Sequence, residues 1–391
     1  MKQTLIVLIG LVVVPGLALA KVTVEPVTPQ RLHKLYTGLL LQGDKLWATT
    51  QRSINDNNHR IEVYSQDGKR LLGSAVLPHM ADSLAAFGPD VVIAVGRHQI
   101  DREKAIDHEA EKKKFAELED TAEIFDPVTN PISEEALAAY YDELKSGSHS
   151  FYSVVRFVNG KIELKTAEFP ISILAEFFAG TPERMYFQDV SDGVFSWVNG
   201  KETFLKGHVV APGRMTLLGD SLYVLSRGTL NDPFDKNLVH FDLKTQVATK
   251  LFPEGTTVLG GLAVLEGGKR VVVTEAVAKK AHVFDASTNK LEQSIATQGL
   301  PEASAQYGRC LVVLTAKPRQ LSFYDFKNGF RKIDQWDFDK LINVDFEAPR
   351  FAAVDESAGR IFVESSFFGN HSLSGIISVQ NKGEKSPCVA N

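Results

Sequence analysis

The chain has 391 residues, 44% of them hydrophobic and 23% charged, with a formal net charge of −5. That balance excludes a disordered, collagen-like or coiled-coil chain and lacks the basic footprint of a nucleic-acid binder. Two cysteines exclude a disulfide-stapled mini-protein and a four-cysteine zinc site.

Met1–Ala20 reads as a secretory signal peptide. Lys2 supplies the positive start and Leu5–Val14 the apolar stretch. Pro15-Gly16 breaks a helix, and Ala18-Leu19-Ala20 gives a small-x-small cleavage pattern. The apolar run is shorter than the ~20 residues a membrane span needs, and no later run reaches that length. Residues 21–391 are therefore expected to be exported, periplasmic or secreted, with no integral membrane segment.

A strand followed by a turn recurs seven times along the chain. The copies begin at Ile61, Val154, Val194, Leu238, Ala281, Leu321 and Ile376, with steps of 93, 40, 44, 43, 40 and 55 residues. Asp67-Gly68, Asn159-Gly160 and Asn199-Gly200 are hairpin signals, because type I′ turns need positive φ at both central residues. A large apolar residue holds the fourth position of each copy, as in Tyr64, Trp197, Phe241 and Phe284. Before each copy runs an apolar strand, such as Leu46-Trp-Ala-Thr, Val91–Val95 or Leu311-Val-Val-Leu. After it comes a third strand closing near a proline: Pro78, Pro170, Pro212, Pro253 or Pro301. Four short strands every ~40–45 residues predict an all-β, seven-bladed β-propeller. The seventh copy ends too soon to supply an outer strand, and Val22–Val27 is the segment expected to fill that slot and close the ring.

The 93-residue step leaves room for an insertion in blade 2, over residues 101–150. Ala, Glu and Lys over Asp101–Glu119, then Ser133 as N-cap of Glu134–Leu144, predict a charged helical hairpin. Residues 101–146 hold 14 acidic and 6 basic side chains, a local net charge of −8. The rest of the exported chain is then near neutral, a disc bearing one acidic arm.

The units Val239-His-Phe-Asp-Leu-Lys-Thr-Gln and His282-Val-Phe-Asp-Ala-Ser-Thr-Asn-Lys resemble the YVTN/WD40-like propeller superfamily of exported bacterial proteins. The resemblance covers nearly all of the exported chain, but it is one of fold. Propellers of that kind include lactonases, quinoprotein dehydrogenase subunits and many proteins with no known activity. The WD40 Gly-His…Trp-Asp signature is absent, and three tryptophans are too few for one per blade.

Candidate chemistry is sparse. No His-Glu-x-x-His, Gly-x-Ser-x-Gly or Gly-rich phosphate motif occurs, so no cofactor is implied. Arg52, Arg97, His98, Arg227, Glu275, Arg319 and Glu364 are expected at the ends of second strands, where they would form a ligand-binding mouth to the central channel. Asp232, Asp235 and Asn237 offer oxygen ligands for a metal but lack the calcium-loop pattern. His240 and His282 stand one position out of register in equivalent strands, which points them to opposite faces. Cys310 and Cys388 are a candidate disulfide.

These features favour a monomeric, exported, non-enzymatic scaffold. It would bind a protein, peptide or other polymer through its loop-decorated face, with the acidic segment 101–146 suited to a basic partner. A lactonase- or hydrolase-like enzyme at the channel mouth and a scaffold subunit of a redox complex are the alternatives.

Overall fold

A computed structural model describes residues 22–26, 31–32, 35–51, 59–81, 83–88, 90–99, 148–168, 175–181, 183–189, 193–198, 201–205, 212–226, 236–252, 256, 259–316, 318–337, 349–365, 373–381 and 386–389. Two short strands come first, β1 (Val22–Pro26) and β2 (Arg31–Leu32). Blade 1 follows with β3 (Leu35–Gln42), β4 (Lys45–Gln51), β5 (Arg60–Ser65) and β6 (Leu71–Val76). Blade 2 is β7 (Ser83–Gly88), β8 (Val91–Gln99), β9 (Ser148–Val158) and β10 (Lys161–Glu168). Blade 3 is β11 (Ala175–Thr181), β12 (Arg184–Asp189), β13 (Gly193–Val198) and β14 (Lys201–Leu205). Blade 4 is β15 (Pro212–Leu218), β16 (Ser221–Ser226), β17 (Asn237–Asp242) and β18 (Val247–Lys250). Blade 5 is β19 (Leu259–Leu265), β20 (Arg270–Glu275), β21 (Lys280–Asp285) and β22 (Leu291–Ala296). Blade 6 is β23 (Pro301–Tyr307), β24 (Cys310–Ala316), β25 (Arg319–Asp325) and β26 (Arg331–Asp337). Blade 7 contributes β27 (Pro349–Asp355), β28 (Arg360–Ser365) and β29 (Leu373–Asn381).

Each blade is an antiparallel meander, and the seven make a β-propeller. In blade 7 the fourth strand is β1, paired with β29 from Val22↔Asn381 to Pro26↔Ile377. Each innermost strand contacts the innermost strand of the next blade, and β27 contacts β3.

The recurrent units are the third strands, and the apolar runs before them are the second. Second strands are buried on both faces between neighbouring blades, so they read as unbroken apolar runs rather than alternating ones. All seven residues of β24 are buried. Outer strands face solvent, and β22 buries only Ile295. At the turn after β9, Asn159 (φ 51°) and Gly160 (φ 76°) both adopt the positive φ that the Asn-Gly pair predicts.

Every first-to-second strand pair carries a bulge or register shift. The shifts lie at Tyr36/Gly38, Ala86/Gly88, Ala175/Phe178, Pro212/Met215, Leu259/Leu262, Pro301/Ala303 and Pro349/Phe351. An extra residue bends a strand and increases its local twist, which suits strands crowded around an axis. Pro212, Pro301 and Pro349 each open an innermost strand just before its bulge, where a missing N–H costs no ladder bond. The expectation that Pro212 and Pro301 close outer strands is thereby corrected.

Short bonds tie neighbouring blades on the face that carries the tight turns. Lys45 Nζ lies 2.7 Å from Asp90 Oδ1 across blades 1 and 2. Arg184 meets Asp220 at 3.5 Å across blades 3 and 4, and the Tyr223 hydroxyl donates to Asn289 Oδ1 at 2.8 Å across blades 4 and 5. The Glu266 N–H donates to Gln306 at 2.7 Å and the Gly308 N–H to Glu356 at 2.8 Å, linking blades 5, 6 and 7. Gln66 Nε2 donates to Asp355 Oδ1 at 3.0 Å, joining blade 1 to blade 7. Cys388 in the tail is disulfide-bonded to Cys310 of β24, with Cα atoms 5.4 Å apart.

The proposed signal segment lies outside the described residues. So does the helical hairpin expected over 101–150, apart from Ser148–Ser150, which belong to strand β9 rather than to an insertion. The sole helical element among the described residues is the 3-10 turn Phe326–Asn328. No helix among the described residues is long and apolar enough to cross a membrane.

Candidate functional site

The two faces of the disc differ in what joins the strands. On one, first-to-second and third-to-fourth strand turns are short, from 43–44 in blade 1 to 286–290 in blade 5. At the other face the second strands of blades 1, 2, 4 and 7 end, and 8, 48, 10 and 7 residues of sequence separate them from the third strands. Loops on a rigid frame are where binding groups concentrate.

Of the residues expected at the channel mouth, Arg52 and Arg227 lie outside the described residues, as do Asp232 and Asp235. Arg97 and His98 sit within β8, opposite Ser150 and His149. There β8 has outrun β7, whose last partner is Val95, so these residues occupy a two-stranded arm beyond the blade. Glu364 lies in β28, opposite Phe351 and Ile376. The side chains of Arg97, His98 and Glu364 are not among those described. Arg319 opens β25, rather than ending β24, and is half-buried.

Glu275 departs from expectation. It ends β20 but is only 7% exposed. Its Oε1 accepts from the Thr256 hydroxyl and its Oε2 lies 2.8 Å from His282 Nε2. Asn237 is also withdrawn from ligand duty. Its Nδ2 donates to the Phe252 carbonyl at 2.6 Å and its Oδ1 accepts from the Phe252 N–H at 3.0 Å. Among the described residues no cluster of three or more His, Cys, Asp or Glu side chains is placed to hold a metal ion.

The histidines of blades 4 and 5 point to opposite faces, as their offset in the repeat requires. His240 reaches forward to Asn289 of blade 5, with Nδ1 3.1 Å from the Asn289 amide and Nε2 3.0 Å from Ser221 Oγ. Burial holds the His240 imidazole below the usual histidine range, with Asp242 pulling weakly the other way. His282 faces back toward blade 4, its ring edge-on to Phe252 at 5.0 Å. Its Nδ1 lies 2.9 Å from Ser294 Oγ.

At the axis, a cavity of about 460 Å³ is lined by the innermost strands of blades 1 to 5. Leu39, Leu84, Met215 and Leu217 supply apolar wall, and Arg214 is the only charged residue lining it among the described residues. A second hollow of about 500 Å³ lies between blades 4 and 5 on the tight-turn face, bordered by Lys269, Arg270, Asp285 and Glu292. The sequence signals for the channel mouth pointed to strand ends, whereas the cavity wall comes from innermost strands with small and apolar residues that carry no such signal.

Blade count and strand order define the chain as a seven-bladed β-propeller. No protein-family model matches it, and no curated protein does. Among solved structures, a chain from a crystal structure of a nidogen/laminin complex is similar over 48% of this chain and 75% of its own. The identity is 12% and the TM-score 0.37.

Proposed function

We propose that the chain is an exported propeller scaffold that binds a protein, peptide or other polymer through its loop-bearing face. The observation that carries this reading is the asymmetry of the disc. Tight turns tied blade to blade occupy one face, while the connections 52–59, 100–147, 227–236 and 366–372 all leave from the other. A rigid frame with long segments on one side suits recognition of a large partner. The charge of −8 over residues 101–146 favours a basic partner.

Export is supported by the Met1–Ala20 pattern and by the Cys310–Cys388 disulfide, a bond that persists in oxidising compartments. The pairing of β1 with β29 supports the N-terminal strand as the piece that closes the ring. The repeat units support placement near the YVTN/WD40-like exported propellers.

The test is fluorescence anisotropy with a lysine-rich peptide, on the full chain and on a variant lacking 101–146. Binding that weakens steeply with salt and disappears on deletion is expected. Equal binding by the deletion variant overturns the docking role of that segment.

A further inference from the structure

Three histidines among the described residues share a hydrogen bond with a serine hydroxyl, and they differ in what stands behind the ring. His79 has Ser153 on Nε2 at 2.8 Å and the Met80 carbonyl on Nδ1 at 2.8 Å, and Ser153 is fully buried. His240 has Ser221 on one nitrogen and the neutral amide of Asn289 on the other. Behind the His282 ring stands a carboxylate: Glu275 Oε2 at 2.8 Å from Nε2, with Ser294 Oγ at 2.9 Å from Nδ1.

The chemistry of the line follows from its members. A carboxylate accepts and does not donate, so Nε2 carries a proton, and in the neutral ring Nδ1 then presents a lone pair to the Ser294 hydroxyl. Glu275 and His282 are 7% and 6% exposed, which shields their bond from water, whereas Ser294 is exposed.

Strand register places the serine backbone too. The Thr297 N–H donates to the Lys279 carbonyl at 2.8 Å, which makes that facing pair a hydrogen-bonded one. Alternation through Ala296↔Lys280 and Ile295↔Ala281 makes Ser294↔His282 a non-hydrogen-bonded pair. Side chains approach most closely in such pairs, and the Ser294 N–H points away from β21. Because β22 is the outermost strand of blade 5, that N–H faces the open edge of the sheet.

We propose that Ser294 is an activated nucleophile, with His282 as its base and Glu275 positioning that base. The outer edge of blade 5 is then an acyl-transfer site for carboxylic esters. Ser294 lines neither cavity, so the fitting substrate is an ester carried on an accessible chain or surface rather than an enclosed small molecule. This goes beyond the binding role of the loop-bearing face and does not depend on it.

In the reaction, Ser294 Oγ forms a bond to the ester carbonyl carbon and its proton passes to His282 Nδ1. The Ser294 N–H at the open sheet edge would be the backbone donor to the oxyanion. The bond to the leaving oxygen breaks as the imidazolium returns its proton to that alcohol. Water then attacks the acyl-serine and gives a proton to Nδ1, and the acyl–Oγ bond breaks as the imidazolium returns that proton to Ser294 Oγ, releasing the carboxylic acid.

The test uses the full chain, a fluorophosphonate probe and p-nitrophenyl acetate. The probe forms a P–O bond to an activated serine and expels fluoride, and peptide mass spectrometry locates the adduct. Labelling of Ser294 in folded but not urea-unfolded protein is expected. His282→Gln should slow labelling about 100-fold, and His240→Gln should leave it unchanged. Glu275→Gln should lower kcat for the acetate ester while its melting temperature and the fraction of Ser294 finally labelled by the probe stay at those of the unmodified chain, a combination that loss of folded protein alone would not give. No adduct on Ser294 of the folded unmodified chain overturns the proposal, whatever the variants do. Labelling that is equal in His282→Gln of unchanged melting temperature overturns it as well.

Discussion

Cys388 is bonded to Cys310, so the residues that follow the last strand return to the sixth blade. There the Cys388 carbonyl accepts the Arg309 N–H at 2.8 Å, and its side chain packs with Tyr307, Trp336 and Val379. The tail therefore bridges blades 6 and 7 by covalent, polar and apolar contacts together.

Replacing both cysteines by serine should lower stability. The bond closes a separation of 78 residues, and loop-closure entropy for that length is about 4.5 kcal/mol, with measured losses commonly about 2–4. Urea denaturation of the double variant against the oxidised chain checks this. A midpoint unmoved by either substitution or reduction would contradict it.

Gly308 and Gly43 separate two costs of adding a methyl group. Both occupy turns at positive φ, 55° and 59°. A Cβ at Gly43 meets nothing within 4 Å, whereas one at Gly308 meets the Cys388 carbonyl oxygen. Gly43→Ala should cost about 1 kcal/mol for the backbone alone. Gly308→Ala should cost more, and should also loosen the tail, read as faster hydrogen exchange at Val389. Equal losses in the two variants would show that the tail yields freely.

His240 should make stability fall on the acid side of neutrality. Its folded value lies below the ordinary ~6.5, so the unfolded chain takes up the proton first. The contribution is whole above ~6.5 and is lost as the pH drops through the folded value. Urea midpoints measured from mildly alkaline to mildly acid pH should decline less steeply in His240→Gln. Parallel declines would remove His240 as a cause.

Asn237 clamps both backbone groups of Phe252 and is 1% exposed. An aspartate there keeps the acceptor and loses the donor, leaving a carboxylate oxygen against a carbonyl. Asn237→Asp should destabilise by about 3 kcal/mol or more, and Asn237→Ala by less. Calorimetry on the pair checks the order, and the reverse order would contradict the clamp.

The parts of the fold legible in the sequence are those governed by local chemistry. Asn159-Gly160 marks its hairpin because few other pairs take positive φ twice. Second strands announce themselves because burial on two faces removes alternation, as in β24. The bulges of the innermost strands were not legible, since they answer to crowding at the axis rather than to their own residues. The site was read less well. Glu275 sits at a strand end, which reads as exposed, whereas it is buried and bonded to Thr256 and His282. Ser294, His282 and Glu275 have no motif spacing, because cross-strand register, not chain distance, brings them together.

Pairing of β1 with β29 has a kinetic consequence. The partner of Val22 is Asn381, so the first described strand waits for the last described one. Contacts this distant along the chain form slowly, since closure entropy precedes any gain from pairing. Until then blade 7 lacks its outer strand and β1 has no ladder, two bare edges that invite proteolysis or association with other chains. A translation product that stops short of β29 leaves β1, β2 and β28 all without the strand they pair with.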